Sequence, residues 1–416
     1  MKILVVGGGG REHAIIWKLI SDKSVSEVHC APGNGGISDV AVCAPFKATD
    51  VEGVVGYAKR ERFDLVVIAP DDPLYMGMAD RFAQEGIRAF GPVKKAAALE
   101  GSKSFAKALM EKYGIPTPRY RVFSDYDEAA GYLRRHGAPV VVKADGLALG
   151  KGVTVCATAA EAEKALADMM VKKVFGAAGA KAVIEECVSG PEVSVLAFCD
   201  GETMLPMASA QDHKRAFDGD EGPNTGGMGA FSPSPKYTEE IRKEVEEKII
   251  MRTLAALKSE GIVYKGVLYF GLMLTEGGPV LLEYNARFGD PEAQAVLPRM
   301  KNSLLEVMDA VIDGKLSGIK LEWDARSAVC VVAASGGYPG GYGKGYEITG
   351  IDKVKDATVF HAGTEKRDGR YYTSGGRVLG VTALGRDISE AREKAYSEIK
   401  KISFSEMMYR NDIGLK

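Results

Sequence analysis

Leu282-Glu283-Tyr284-Asn285-Ala286-Arg287-Phe288-Gly289-Asp290-Pro291-Glu292 runs from an apolar strand into a charged, glycine-containing loop. Its opening residues continue an apolar run from Val280, and strand alternation places Glu283 and Asn285 on one face. A carboxylate and an amide carbonyl so placed suit Mg²⁺. Arg287 continues that face, where its fork can hold a carboxylate or a transferring phosphoryl group. A plain ion pair among Glu283, Arg287 and Asp290 is the alternative. The run over 266–274 predicts a neighbouring strand, so the two extend a core sheet.

Four other stretches carry candidate chemistry. Lys143-Ala144-Asp145-Gly146-Leu147-Ala148-Leu149-Gly150-Lys151-Gly152 runs from a strand into a glycine-rich turn with two lysines. Such a hairpin can lay backbone N–H groups over a triphosphate while ammonium groups neutralise it, or it can be a solvated lysine turn. Its spacing is not that of a Walker motif. Ile184-Glu185-Glu186-Cys187-Val188-Ser189-Gly190-Pro191-Glu192 ends a strand with adjacent acids, which alone reads as a charged edge. The segment 211–235, with Gln211-Asp212-His213-Lys214-Arg215 and the glycines from Gly222 to Gly229, is too long for an ordinary connection. It is expected to be a functional loop or lid that clamps an anionic substrate, against the alternative of a charged surface loop. His213 is a secondary candidate there for a general base. Finally, Gly7-Gly8-Gly9-Gly10-Arg11-Glu12 follows a first strand and opens a helix, a place for a phosphate or for a merely structural turn. Glu12 where a dinucleotide fingerprint needs Gly, and Cys30-Ala31-Pro32 without an acid, argue against a nicotinamide cofactor.

Around these stretches the pattern predicts strands at 2–6, 28–31, 65–69 and 89–90 with helices at 12–20, 51–60 and 76–85, hence a parallel sheet covered on both faces. A helix over 103–113 stops at Gly114-Ile115-Pro116-Thr117-Pro118. Strands at 140–143, 153–156 and 182–186 with helices at 126–135 and 160–170 form a small α+β module. A helix at 239–259 precedes the core strands, and helices at 292–299 and 304–313 follow them. Strands at 329–333, 358–361 and 377–383 and a helix at 388–402 close the pattern.

A net charge of −2 over 416 residues argues against a dedicated nucleic-acid binder, and 46% hydrophobic residues exclude disorder. Apolar runs fall short of the ~18 residues a membrane helix needs, and Met1 to Val6 leads straight into glycines with no signal-peptide pattern, so a cytoplasmic location is expected. The six cysteines, at 30, 43, 156, 187, 199 and 330, form no close pair and are expected reduced and mostly buried. The five histidines show neither a Ser-His-Asp order nor a zinc motif.

The motifs together resemble the phosphoribosylamine–glycine ligase family of ATP-grasp enzymes nearly end to end. The likeness includes Gly9-Gly10-Arg11-Glu12-His13-Ala14, Ala31-Pro32-Gly33-Asn34, Leu99-Glu100-Gly101-Ser102-Lys103, Lys143 to Leu147, Gln211 to Arg215, Gly222 to Gly229, Arg287 to Glu292 and Ser374-Gly375-Gly376-Arg377-Val378. The resemblance implies a fold class of α/β and α+β parts: an N-terminal doubly wound parallel-sheet domain (1–101), an ATP-grasp core (102–121 and 194–322), a lid (122–193) and a β-rich C-terminal domain (323–416). It implies that ATP phosphorylates the carboxylate of glycine and that 5-phosphoribosylamine attacks the acyl phosphate, in purine biosynthesis. Lys103, Lys143 and Lys151 would meet ATP phosphates, Glu185, Glu186 and Val188 would hold adenine, and Glu192 the ribose. Glu283 and Asn285 would bind Mg²⁺ or Mn²⁺. Asp212 and Arg287 would hold the ammonium and carboxylate of glycine, with Lys214 beside them. Gly9, Gly10, Asn34 and Asp71 would face the ribosyl phosphate. Arg287, Asp212 and Lys143 are thus the catalytic candidates, with no nucleic-acid or membrane partner and a monomer or weak dimer expected. Departures from the family pattern are Asp71 for Glu, Ser374 for Asn and the absence of an acid over 267–274. Two rivals stand beside this reading, an ATP-grasp ligase for another carboxylate and a non-catalytic nucleotide-binding regulator.

Overall fold

The computed structural model describes residues 1–148 and 152–415. Strands Lys2–Gly7, Glu27–Pro32, Val42–Cys43, Leu65–Ile68 and Ala89–Phe90 form a five-stranded parallel sheet with Lys2–Gly7 at its centre. The first strand is apolar on both faces, which is what a doubly covered parallel strand requires. Ile3 and Val5 pack with Ile15, Ile16 and Leu19 of helix Gly10–Leu19, while Leu4 and Val6 pack with Val54, Val55 and Phe82 on the other side.

The middle of the chain holds two antiparallel four-stranded sheets. The larger runs in the order Met204–Pro206, Glu192–Cys199, Gly266–Thr275, Gly278–Asn285. The smaller, Tyr120–Phe123, Ala182–Glu186, Val140–Ala144 and Val153–Cys156, packs under helices Tyr126–His136 and Ala159–Leu166 with its own apolar core. Helix Leu304–Asp313, capped by Ser303 and stopped by Gly314 at φ 70°, buries Leu304, Val307, Met308 and Val311 with Phe90 and Phe198. That cluster joins the N-terminal sheet to the larger central one. A six-stranded sheet around Ser327–Ser335 and Arg377–Gly385 closes the fold beneath helix Ile388–Ile399.

Most expected elements are present, with four differences. The helix read at 76–85 is Met78–Gln84, and a separate unexpected helix, Asp71–Met76, precedes it across Gly77 at φ 91°. Helix Lys94–Gly101 and strand Glu192–Cys199 were not expected: the helix is short, and the strand is apolar on both faces and lies beside the long loop. A three-stranded sheet of Glu347–Ile348, Thr364–Arg367 and Arg370–Thr373 also went unread, its strands being polar and short. The segment 211–235 is largely extended, with short strands Gln211–Asp212, Arg215–Phe217, Glu221–Asn224 and Gly229–Ser232. Gly229–Ser232 pairs with Ser327–Ser335 about a hundred residues downstream, a partner that local periodicity cannot reveal. Of the cysteines, 30, 156, 199 and 330 are buried and all are free thiols.

Candidate active site

Strand Gly278–Asn285 delivers the decisive face. Tyr284 turns into the core, where its hydroxyl meets that of Thr253 at 2.8 Å, so Glu283 and Asn285 turn the other way. Together with Arg287 they line a cavity of about 1050 Å³ whose walls come from both central sheets. Burial alone would raise the Glu283 carboxyl, but Lys214, Lys143, Lys103 and Arg287 hold it below its ordinary range, and it stays ionised. Gly271 stands opposite Glu283 in the neighbouring strand, and a Cβ there would lie 3.2 Å from Glu283 Cγ. The missing side chain leaves the carboxylate room.

At the lid end, Lys143 and Lys107 converge on one oxygen, with Nζ atoms 2.9 and 3.0 Å from Glu185 Oε2. Lys107 also donates to Thr117 Oγ1 at 2.7 Å, and Lys103 donates to Gly146 O at 3.1 Å. Burial lowers both helix lysines, Lys107 to about 8 against the pull of Glu185. The second oxygen of Glu185 is buried without a partner among the described residues. Sequence reading assigned Lys107 no role, although its spacing of four from Lys103 places both on one helix face. Cys187 and Val188 line the cavity as well. The Glu186 side chain accepts from Arg119 N and Nε at 3.0 and 2.8 Å, and its own N–H donates to Arg119 O at 2.9 Å. Glu192 pairs with Lys214. Lys151 lies outside the described residues.

At the opposite end, Arg287 Nη2 stands 2.9 Å from Glu100 Oε1, and Arg287 Nε is buried with no partner among the described residues. Glu100 Oε2 accepts the Ala286 N–H at 2.7 Å, so this carboxylate fixes both the strand end and the guanidinium. Burial pushes Glu100 up to about 7 against the pull of Arg287. In the sequence Glu100 is visible only as part of Leu99-Glu100-Gly101-Ser102-Lys103, because its partner Arg287 lies far downstream. Asp71 opens a helix at the cavity wall, where Arg287 and Arg11 outweigh burial and keep it low. Burial raises Asp212, opposed by Lys214 and reinforced by Glu292 and Glu192. Glu292 accepts from Ser194 and Tyr269 at 3.2 and 3.0 Å.

The N-terminal glycine loop differs from expectation. Gly9, Gly10 and Asn34 are not among the residues lining the cavity; Arg11 is. The Asn34 amide donates to Gly8 O and His361 O at 3.0 and 2.8 Å and accepts from Gly36 N and Ile37 N. Its side-chain amide is thereby committed to tying loops together, which leaves its backbone to face a ribosyl phosphate. The Gly9 N–H is likewise taken by Glu12 Oε2 at 2.5 Å, and a Cβ on Gly10 would fall 2.5 Å from Gln294 Nε2. His213 is wholly buried against Phe231 and is not among the cavity-lining residues, so it is not placed as a general base.

Among the described residues no group of three His, Cys, Asp or Glu side chains could hold a metal ion. The Glu283 carboxylate and Asn285 Oδ1, which also accepts from Arg287 Nη2 at 3.3 Å, offer one charged and one neutral oxygen ligand instead, which fits Mg²⁺, an ion that keeps several waters and takes phosphate oxygens.

A lid and core sheet enclosing lysines at one end and Glu283, Asn285 and Arg287 at the other define an ATP-grasp enzyme. Solved biotin carboxylase domains share the fold: that of the Hydrogenobacter thermophilus 2-oxoglutarate carboxylase matches 98% of this chain and 91% of its own at TM-score 0.74 and 15% identity. Three models of one family match in succession, the phosphoribosylglycinamide synthetase N domain over 1–100, its ATP-grasp (A) domain over 101–293 and its C domain over 328–416. The chain belongs to the phosphoribosylglycinamide synthetase family. It is 52% identical to the phosphoribosylamine–glycine ligase of Caldanaerobacter subterraneus over 100% of this chain and 99% of that one. The Halalkalibacterium halodurans relative of the same name is 49% identical, covering 100% and 97%. The crystal structure of the Thermotoga maritima phosphoribosylamine–glycine ligase matches at TM-score 0.85 and 35% identity, over 99% of this chain and 100% of that chain.

Proposed function

We propose that this chain joins glycine to 5-phosphoribosylamine at the expense of ATP, through a glycyl phosphate, releasing glycinamide ribonucleotide, ADP and phosphate. The observation that carries the reading is one ionised carboxylate, Glu283, under the combined field of Lys214, Lys143, Lys103 and Arg287 inside one cavity. Four cations around one acid suit a site that gathers a triphosphate and a carboxylate while keeping a metal ligand charged. Lys103 and Lys143 neutralise the phosphates, and Lys107 holds Glu185 in place behind Lys143. The backbone of Glu185, Glu186 and Val188 takes the adenine, Glu192 the ribose. Glu283 and Asn285 hold Mg²⁺ or Mn²⁺, which when bound supplies charge neutralisation at the transferring phosphoryl group.

Arg287 grips the glycine carboxylate, its unpartnered Nε providing a free donor. Asp212 holds the ammonium end of that substrate, with Lys214 beside it paired to Glu192, and Asp71 with Arg11 faces the ribosyl phosphate side. A carboxylate is a poor electrophile; phosphorylation gives it a leaving group, after which the amine forms the amide bond and phosphate departs. No protein nucleophile is needed, because positioning and charge supply the rate. The test uses glycine labelled with ¹⁸O in its carboxylate, ATP, Mg²⁺ and 5-phosphoribosylamine generated in situ. Label in inorganic phosphate together with a glycinamide ribonucleotide mass supports the reading. ADP without either product points to another acid, and no ADP at all points to a binding protein.

A further inference from the structure

Strands Arg215–Phe217 and Glu221–Asn224 form a two-stranded hairpin that joins no larger sheet. Such a hairpin is marginal in water on its own. It buries Ala216 but leaves Phe217 51% exposed, so apolar packing does not fix it. Yet it carries Arg215, Asp220 and Asn224 to the cavity and continues directly from Asp212 and Lys214.

Its anchor lies far away in sequence. Arg410 is buried at 1% exposure; its Nε and Nη2 fork onto Asp412 at 2.7 and 2.6 Å, and Nη1 donates to Arg215 O at 3.0 Å and Asp220 Oδ1 at 2.9 Å. Asn411 gives its backbone N–H and its Nδ2 to Asp218 at 2.7 and 2.9 Å, while Gly219 N donates to Asp412 Oδ2 at 2.9 Å. The anchor is itself fixed to the six-stranded sheet. Met407–Met408 pairs with Ser327–Ser335, and the Tyr396 hydroxyl bridges Arg410 O and Ile413 N at 2.6 and 3.1 Å.

We infer that Arg410, Asn411 and Asp412 form a positioning clamp that holds the 215–224 hairpin, and with it the adjoining Asp212 and Lys214, in register for ligation. The inference rests on the function proposed above. None of the three lines the cavity, so they act through the hairpin. The planar guanidinium satisfies Asp412, a backbone carbonyl and Asp220 at once, an array that an ammonium cannot reproduce.

Two variants of the full chain test it, Arg410→Lys and Asp218→Ala. Asp218 is exposed and is not among the cavity-lining residues, so the second variant keeps the test alive if the first misfolds. The glycine KM should rise ~10-fold in Arg410→Lys and ~5-fold in Asp218→Ala, which loses two exposed hydrogen bonds to its carboxylate. Hydrogen exchange over 215–224 should quicken while 327–335 stays protected. Quickened exchange with a wild-type glycine KM in Asp218→Ala overturns the inference, as does unchanged exchange in both variants. If the wild-type chain makes no glycinamide ribonucleotide, the proposed function fails first, and the clamp fails with it as a device for ligation.

Discussion

Glu100→Gln isolates the carboxylate that pairs with Arg287. In the native site Glu100 Oε1 faces Arg287 Nη2 at 2.9 Å and Oε2 accepts the Ala286 N–H at 2.7 Å, with Glu100 buried and Arg287 half-buried. Glutamine has the same shape but a single acceptor, so either the guanidinium or the backbone N–H meets an NH₂ group instead. Losing one hydrogen bond to a charged group costs ~1.5–3 kcal/mol. That is ~10- to 150-fold in kcat/KM for glycine at 1.36 kcal/mol per decade. The shift also has a pH signature. Burial raises Glu100 from 4.5 to about 7, so between those values the folded chain holds more protons than the unfolded one, and this group's contribution to stability falls as pH rises. The ionised form that pairs with Arg287 is complete only above that window, so glycine kcat/KM should rise through pH ~7 in the native chain and flatten in the variant. The assay is steady-state ADP release at varied glycine and saturating ATP, with thermal unfolding alongside. A lowered Tm with glycine kcat/KM within ~2-fold of wild type would refute the reasoning, because Glu100 would then stabilise the fold without orienting the guanidinium.

Glu283→Gln should cut turnover by at least ~100-fold while the circular-dichroism spectrum stays native, since the change removes a charge that faces the cavity and keeps the side chain's shape. Mg²⁺ titration checks it: an unchanged half-saturating concentration takes Glu283 out of the metal site. Arg287→Lys should raise the glycine KM at least ~10-fold, because an ammonium cannot replace the fork; unaltered glycine saturation removes that role. His13 and His361 are held neutral by burial, at about 4 and about 3, with the His361 N–H donating to His13 Nδ1 at 2.8 Å. The unfolded chain binds protons that the folded chain refuses below pH ~6.5, so stability is lost as pH falls through that window, by up to ~1.4 kcal/mol per pH unit for each histidine. In His361→Gln the slope of unfolding free energy against pH from urea melts should drop by that amount, and an identical slope counts against burial as the cause.

Much was legible in the chain before folding. Alternation in Leu282-Glu283-Tyr284-Asn285 placed two oxygens on one face because strand geometry is local, and the doubly apolar Lys2–Gly7 strand announced a sheet covered on both sides. Capped, periodic helices such as Leu304–Asp313 were equally plain. What tertiary structure alone decided were the partnerships across long separations. Asn34 reads as a ligand in its motif, yet His361 O and Gly8 O use up its amide. Glu100 and Lys107 acquire their parts only when Arg287 and Glu185 arrive from 187 and 78 residues downstream. The strand pieces between 211 and 232 are too short to declare themselves, and it is Ser327–Ser335 and Arg410 that fix them. Local sequence encodes backbone period and chemical type; the field that sets a carboxylate near 7 or keeps another ionised is a sum over groups that only the fold brings within a few ångströms.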